Sequence, residues 1–187
     1  MHQVGLRHLM EFFALHQLPA ELAVTTYKLY GEGAIDMLYD DPYLLTDEGM
    51  DAPFGAVDRF AIELGVAGDD PRRVEAGVLF ELRYHLTAGH SFLPENKLID
   101  ATAQLLSVPP DTVSKCVQKL VFLNRLASDR LADIDIIYLP DLYIAEAMCT
   151  HQLLDFAEAA YPAPKNLKKL LEKVSMKKVK EIIREKK

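Results

Sequence analysis

The sequence predicts a mainly α-helical fold in which many short helices lead into one small β-hairpin. Apolar residues recur at three- and four-residue spacings along most of the 187 residues, which is the pattern of amphipathic helices. Single proline and glycine residues interrupt that pattern at short intervals, and no Gly/Ser linker separates long segments. Residues 126–130 and 134–139 are β-prone runs on either side of Asp133, as expected of a two-stranded hairpin.

The first helices are placed by their apolar spacing and by the residues that end them. Residues 6–18 are expected to form a helix that stops ahead of Pro19, and Pro19 suits the first turn of the next helix because no N–H is needed there. Gly31 is expected to end this second helix. A short third helix over residues 35–39 stops before Pro42, because the residue before a proline is disfavoured in the helical region.

Two longer helices follow an irregular stretch. One is expected over residues 54–64, with its apolar side chains on one face and Gly65 at its end. The other begins after Asp70, whose side chain is placed to cap it, with Pro71 in the first helical position. It continues until Gly89.

The second half of the chain has the element order of a winged helix-turn-helix. Helices are expected over residues 98–106 and 113–121, joined by a turn at residues 108–110. Together with the helix before them, they make three helices followed by a small hairpin that corresponds to the wing. A further helix is expected to run from Pro140 through Tyr161.

Charge is divided unevenly along the chain. The formal net charge is −7, but residues 162–187, the basic tail, carry ten Lys or Arg against three Glu, which leaves −14 on residues 1–161. Because a cationic segment attracts phosphate and an acidic body repels it, weak and sequence-independent DNA binding is expected to be concentrated in this tail. Its candidate DNA-binding residues are Lys165, Lys168, Lys169, Lys177, Lys178 and Lys180.

We expect a cytoplasmic protein that does not enter a membrane. The first 16 residues include Arg7, His8 and Glu11, unlike a signal peptide. No apolar run approaches the roughly 20 residues that span a bilayer.

The sequence shows no catalytic constellation and no metal site. Cys116 and Cys149 lie in helical patterns without C-x-x-C spacing, so both are expected to be buried thiols. His85 and His90 could suggest a metal pair, but the residues around them supply no third ligand, and a capping or hydrogen-bonding role is the better interpretation. No nucleophile motif surrounds Ser91.

Five short signatures occur in a single order along the chain. The first two are Tyr30-Gly31-Glu32-Gly33-Ala34-Ile35 with Asp41-Pro42-Tyr43-Leu44-Leu45, and Phe54…Asp58…Ala61…Leu64-Gly65-Val66. The others are Arg73…Ala76-Gly77, Gly89-His90-Ser91…Leu93-Pro94 and Ile137-Tyr138-Leu139-Pro140…Tyr143…Glu146. Together they resemble the YG-x-x-AI…NPY-x-L, GIGF-x-x-AD-x-IA-x-x-LGI, R-x-x-AG, GHT-x-LP and IYL…Y-x-x-E patterns of the RecD-like DNA helicases that work without RecB and RecC partners.

The resemblance implies a fold and a division of the chain. It implies a tandem helix-hairpin-helix bundle over residues 1–68, a winged-helix-like module with a trailing helix over residues 69–161, and a basic, helix-prone tail over residues 162–187 leading toward two motor domains. No G-x-x-x-x-G-K-[ST] occurs in these 187 residues, so the backbone cradle for a triphosphate is missing. ATP and Mg²⁺ are therefore expected only in the motor domains, and no enzymatic activity is expected from this chain.

Helix-hairpin-helix units bind the DNA backbone through N–H groups at a glycine-containing turn that leads into a helix. Gly31 and Gly33 preserve such a turn, with Glu32 between them. In the second hairpin the family's glycines correspond to Asp51 and Pro53, which add a repelling charge and remove a donor. A purely structural role is the favoured interpretation of both hairpins, with DNA contact as the alternative.

The second helix of the helix-turn-helix carries the remaining candidates for DNA contact. Lys115, Gln118 and Lys119 could touch phosphates or base edges. The same residues would also suit an ordinary solvated face.

Three functions are consistent with these features. The first is the accessory N-terminal domain of a DNA repair or recombination helicase, which positions DNA or a partner for an absent motor. The second is a protein-protein docking module without direct DNA contact, which the acidic body favours. The third, a stand-alone winged-helix regulator, is weaker because its recognition helix carries so few basic residues.

Overall fold

The computed structural model describes residues 2–50 and 52–158, which form helices and one small antiparallel sheet. In chain order the elements are α1 (His2–Leu15), α2 (Leu22–Tyr30), α3 (Ala34–Asp40), α4 (Phe54–Glu63), α5 (Pro71–Thr87), β1 (Phe92–Pro94), α6 (Glu95–Leu106), α7 (Pro110–Phe122), β2 (Ala127–Leu131), β3 (Ile134–Tyr138) and α8 (Pro140–Glu158). Short 3₁₀ turns at Gly31–Gly33 and Pro42–Thr46 flank α3. Met1–Ala145 form one compact unit and Glu146–Lys187 a second, with the boundary inside α8.

The chain turns between α1 and α2 earlier than the sequence predicts. α1 ends at Leu15, because Gln17 adopts the left-handed conformation (φ 55°) and the Leu18 N–H donates to a carbonyl of the last turn. The expectation that Pro19 lies in the first turn of the second helix is wrong. α2 begins at Leu22, whose N–H donates to the Pro19 carbonyl at 3.1 Å, so that residues 19–21 form the turn that reverses the chain.

Local capping chemistry is found where the sequence predicts it. Gly31 follows α2 with φ 62°, and Gly65 follows α4 with φ 87°, both in the positive-φ region that glycine adopts most easily. At the start of α5, the Asp70 carboxylate accepts a hydrogen bond from the Arg72 N–H at 2.9 Å, and Pro71 is the first helical residue.

The small sheet has one strand more than the predicted hairpin. β2 and β3 pair antiparallel, as expected, and β3 also pairs antiparallel with β1, which gives the order β1-β3-β2. The third strand runs from Phe92, opposite Tyr138, to Pro94, opposite Ile136. Three residues that include a proline carry almost no strand signal, and their partner lies far along the chain. The second half of the described structure therefore runs helix, strand, helix, helix, strand, strand.

One continuous cluster of buried apolar side chains includes residues from both halves of the larger unit. Phe13 and Phe60 in the first half, and Leu98 in the second, are fully buried. Gly77 lets α5 and α6 approach closely, because a Cβ at this position would lie 2.8 Å from the Leu106 Cδ1. The proposed division of the chain between residues 68 and 69 stays a prediction.

A buried ion pair fastens α4 to α5. Arg73 donates two parallel hydrogen bonds to the Asp58 carboxylate, at 2.8 and 2.9 Å, and a third guanidinium nitrogen reaches the Gly68 and Leu106 carbonyls. The Tyr43 hydroxyl donates to the same carboxylate at 2.8 Å. Burial, together with this hydrogen bond, raises the pKa of Tyr43. Asp58 of the second signature and Arg73 of the third therefore have a structural role, because their ion pair joins α4 to α5.

One of the two cysteines is not buried as the sequence predicts. Cys116 on α7 is half-buried and Cys149 on α8 is exposed, so the prediction that both thiols are buried is wrong for Cys149. The cysteine belongs to a helix whose large apolar side chains, such as Met148 and Leu153, are themselves more than half exposed. No helix within residues 2–50 and 52–158 is long and apolar enough to cross a membrane.

Candidate nucleic-acid interface

The turn between α2 and α3, which we call the first hairpin, is formed by Gly31–Gly33. Its backbone follows from its glycines: Gly31 has φ 62° and ψ −141°, and its N–H donates to the Tyr27 carbonyl, which ends α2. Gly33 leaves open space within 4 Å of the position where a side chain would begin. The two predicted contact residues therefore lie together in an accessible turn, as the sequence suggests.

Negative charge surrounds this first hairpin. Glu32 is exposed at its tip, and Asp36 lies in the first turn of α3. Burial raises the pKa of Tyr30, and Asp47 and Asp41 raise it further by their negative charge. A phosphate approaching the backbone N–H groups here would therefore meet repulsion from several carboxylates.

The second hairpin leads into α4 and is anchored by its own buried side chain. Gly49 turns the chain with φ 85°, Met50 is buried, and the Ala52 N–H donates to the Leu45 carbonyl at 3.2 Å. Pro53 occupies the position before the first residue of α4 and is exposed. Asp51, the other residue that replaces a family glycine, lies outside the described residues.

The exposed face of α7 brings together the residues predicted for a recognition helix. Lys115, Gln118 and Lys119 are all exposed, while the opposite face of the helix is buried in the core. At the end of the same helix, Phe122 is 85% exposed, which the sequence reasoning missed. Its position one turn beyond Lys119 could have indicated that it shares the exposed face.

The β2–β3 hairpin, which would be the wing, is acidic. Its only basic side chain, Arg130, lies 3.7 Å from the Asp133 carboxylate and 3.9 Å from that of Asp135. Asp129 adds a third negative charge in β2. This hairpin has little capacity to neutralise phosphate, since its one cation lies beside two carboxylates.

The six candidate lysines of the basic tail, at positions 165, 168, 169, 177, 178 and 180, lie outside the described residues. Their expected role rests on the charge of the sequence alone.

His85 and His90 meet near the end of α5. Their ring centroids are 6.1 Å apart, the His90 N–H donates to the His85 carbonyl at 3.1 Å, and the Glu81 carboxylate lies 3.7 Å from His85 Nε2. Within the described part of the chain, no group of three or more His, Cys, Asp or Glu is arranged to hold a metal ion.

Comparison with known proteins identifies relatives of the first half of the chain. A family model described as the HHH domain of the ATP-dependent RecD2 DNA helicase matches residues 2–92. Among curated relatives, an ATP-dependent RecD2 DNA helicase from Deinococcus radiodurans is 36% identical over 104 residues. The match covers 54% of this chain but 14% of that helicase, so the chain spans only a small part of the length of its relative.

The two hairpins, each leading into a helix over a shared core, define a helix-hairpin-helix region. The matches show further that this N-terminal half is a helix-hairpin-helix region of the RecD-like helicases. The resemblance found in the sequence signatures is thereby confirmed for residues 2–92.

Proposed function

We propose that the chain is an accessory region of a RecD-like DNA helicase and positions DNA, or a partner protein, for an ATP-driven motor. The observation that carries this proposal is the match of residues 2–92 to the HHH domain of such a helicase. The similar protein is itself a DNA helicase. We further propose that the chain has no ATPase activity of its own and that ATP and Mg²⁺ act only in the motor.

We propose that the second half is a winged-helix-like module that begins near residue 69. The order α5-β1-α6-α7-β2-β3, with β3 between β1 and β2, supports this interpretation. In helix-turn-helix modules the second helix of the motif enters the major groove, and here that helix is α7. Lys115, Gln118 and Lys119 on its exposed face would be its contacts with DNA.

Direct DNA binding by this chain is proposed to be weak and indifferent to sequence. The first hairpin and the wing carry carboxylates where phosphates would approach, and residues 1–161 have a net charge of −14. The basic tail is the segment able to neutralise several phosphates. Such binding depends steeply on salt, because counterions are released from the DNA.

A protein-docking role is the second candidate, and one exposed residue favours it. Phe122 is almost fully exposed at the end of α7, where an aromatic side chain would be a suitable anchor in a protein interface. The second half of the chain exposes both the carboxylates of the wing and the lysines of α7, which would likewise suit a partner of mixed charge better than a phosphate backbone.

One titration series tests the proposed function. Fluorescence anisotropy of the full chain with two duplexes of unrelated sequence, at low and at moderate salt, should show weak and equal binding that falls steeply with salt. Strong preference for one duplex would favour the third candidate, a winged-helix regulator. Absence of binding at low salt, with an intact fold, would favour protein docking.

A further inference from the structure

A row of stacked rings leads from the start of α4 to the surface of α5. The Phe54 and Phe80 ring centroids are 5.0 Å apart with an angle of 24° between the planes, and those of Phe80 and Tyr84 are 6.0 Å apart at 28°. Phe54 is buried, Phe80 is half-buried and Tyr84 is 59% exposed. Phe54 and Phe80 support the last ring from the protein side, so Tyr84 presents a supported aromatic surface to solvent.

A cavity lined by both polar and apolar residues lies directly beside this exposed ring. The Tyr84 ring centroid is 5.6 Å from that of His85, which lines a cavity of about 310 Å³ at the end of α5 and the start of β1. Its polar lining residues are His85, His90, Ser91 and Lys97. Gly89, with φ 87°, makes the tight turn that brings His90 back beside His85.

The cavity can donate several hydrogen bonds to an anion. The Lys97 ammonium offers three N–H donors, and each imidazole offers at least one N–H in either protonation state. The carboxylate of Glu81, 3.7 Å from His85, is 11% exposed, and burial raises its pKa. Two carboxylates also belong to this region: that of Glu95, half-buried at the start of α6, and that of Asp100, exposed one turn beyond Lys97. His90 and Lys97 are its exposed basic side chains.

We propose that Tyr84 and the cavity of His85, His90 and Lys97 bind an unpaired nucleotide of single-stranded DNA. The base stacks on the exposed Tyr84 ring, and the neighbouring phosphate accepts hydrogen bonds from the cavity. This inference rests on the proposed role in DNA binding and adds the kind of DNA that this surface accepts. Aromatic stacking beside cationic groups is the common mode of single-strand binding. An acidic peptide would use the cavity but not the supported ring, and a duplex has no free base faces to stack.

The test compares single-stranded and duplex DNA on the same variants of residues 1–187. Anisotropy is measured with a labelled oligo(dT) and with a labelled duplex for wild type, Tyr84→Ala, Tyr84→Phe and Lys97→Gln. Two variants serve as matched controls. Tyr39→Ala removes another exposed tyrosine, and Arg7→Gln makes the same change of charge on α1. Tyr84→Ala and Lys97→Gln should each weaken oligo(dT) binding by about fivefold or more, the range of one stacked base or one charged contact.

Duplex affinity should change by less than about twofold in both variants, and Tyr84→Phe should bind oligo(dT) like wild type because it keeps the ring. Equal losses for oligo(dT) and duplex, or oligo(dT) binding unchanged by Tyr84→Ala, would overturn this inference and leave the proposed DNA role standing. Wild-type protein that binds neither DNA would overturn both. Circular dichroism confirms that each variant is folded.

Discussion

Removing the Asp58 carboxylate should destabilise the protein strongly, because it isolates a buried guanidinium. In the Asp58–Arg73 pair the side chains are only 18% and 9% exposed. The Arg73 hydrogen bond to Asp58 raises the pKa of the guanidinium. Because an arginine side chain is not deprotonated in proteins, Arg73 stays charged when Asp58 is lost.

The contacts of Asp58 and Arg73 determine how large the loss of stability should be. Loss of one partner from a buried ion pair costs about 3–5 kcal/mol. The Tyr43 hydroxyl also loses its acceptor, at about 1 kcal/mol. Two backbone carbonyls, those of Gly68 and Leu106, continue to accept from Arg73 and offset part of the loss. For Asp58→Ala we expect a loss of about 3 kcal/mol in the free energy of unfolding, at the lower end of that range.

Urea unfolding followed by circular dichroism measures this loss. Glu11→Ala is the control, since it removes a carboxylate from an exposed ion pair with Arg7 and should change the free energy of unfolding by less than about 0.5 kcal/mol. Asp58→Leu combined with Arg73→Met should be more stable than Asp58→Ala alone, because no unpaired charge stays buried. A cost below about 1 kcal/mol for Asp58→Ala would refute the view that this pair fastens α4 to α5.

Three further predictions address pH, the second hairpin and catalysis. Burial raises the pKa of Glu81 above its ordinary value of 4.5. The folded state therefore favours the protonated carboxyl, and the stability that this preference contributes is fully present below pH 4.5 and is lost as the pH rises through the folded-state pKa. Glu81→Gln should accordingly stabilise the protein at pH 7, with an advantage that shrinks toward pH 4.5 in thermal unfolding, and a constant advantage at all pH values would contradict this cause. Asp51→Gly combined with Pro53→Gly should tighten duplex DNA binding by about 1–2 kcal/mol, because a repelling charge is removed and a backbone donor restored; unchanged anisotropy in a folded double variant would mean that this hairpin does not face DNA. Purified protein should hydrolyse no ATP with or without single-stranded DNA, since the phosphate-binding motif is missing, and DNA-stimulated phosphate release in a colorimetric assay would disprove this.

The elements that the sequence predicted are those set by local chemistry. Asp70 and Pro71 start α5 because capping and proline geometry act within a few residues. Gly65 ends α4 for an equally local reason. Pro19 was misplaced because a proline suits both a helix start and a turn, and the preceding Gln17 gives no sign of its left-handed backbone.

The features that could not be predicted depend on distant parts of the chain. β1 exists because its three residues pair with β3, more than 40 positions later in the chain. Arg73 contacts Asp58, 15 residues away, and the Leu106 carbonyl, 33 residues away, so its role was not visible in any local pattern.

The candidate site likewise contains residues that the sequence predicted and a surface that it did not. Lys115, Gln118 and Lys119 were placed on one exposed face by helical spacing alone, and the structure brings them together. The Tyr84 surface was missed, because its support comes from a ring on another helix, Phe54, through Phe80. Helical periodicity shows which side chains share a face but not which neighbouring helix stacks against them.

The basic tail provides the most direct test of the proposed DNA role. Duplex DNA binding is measured by anisotropy for residues 1–187 and for residues 1–161, at low and at moderate salt. We expect residues 1–187 to bind weakly with a steep salt dependence, and we expect removal of the tail to abolish duplex binding, since the remaining charge of −14 can neutralise few phosphates. If residues 1–161 bind duplex DNA as tightly as the full chain, the charge argument is contradicted, and the hairpins or α7 must bind DNA despite the carboxylates around them.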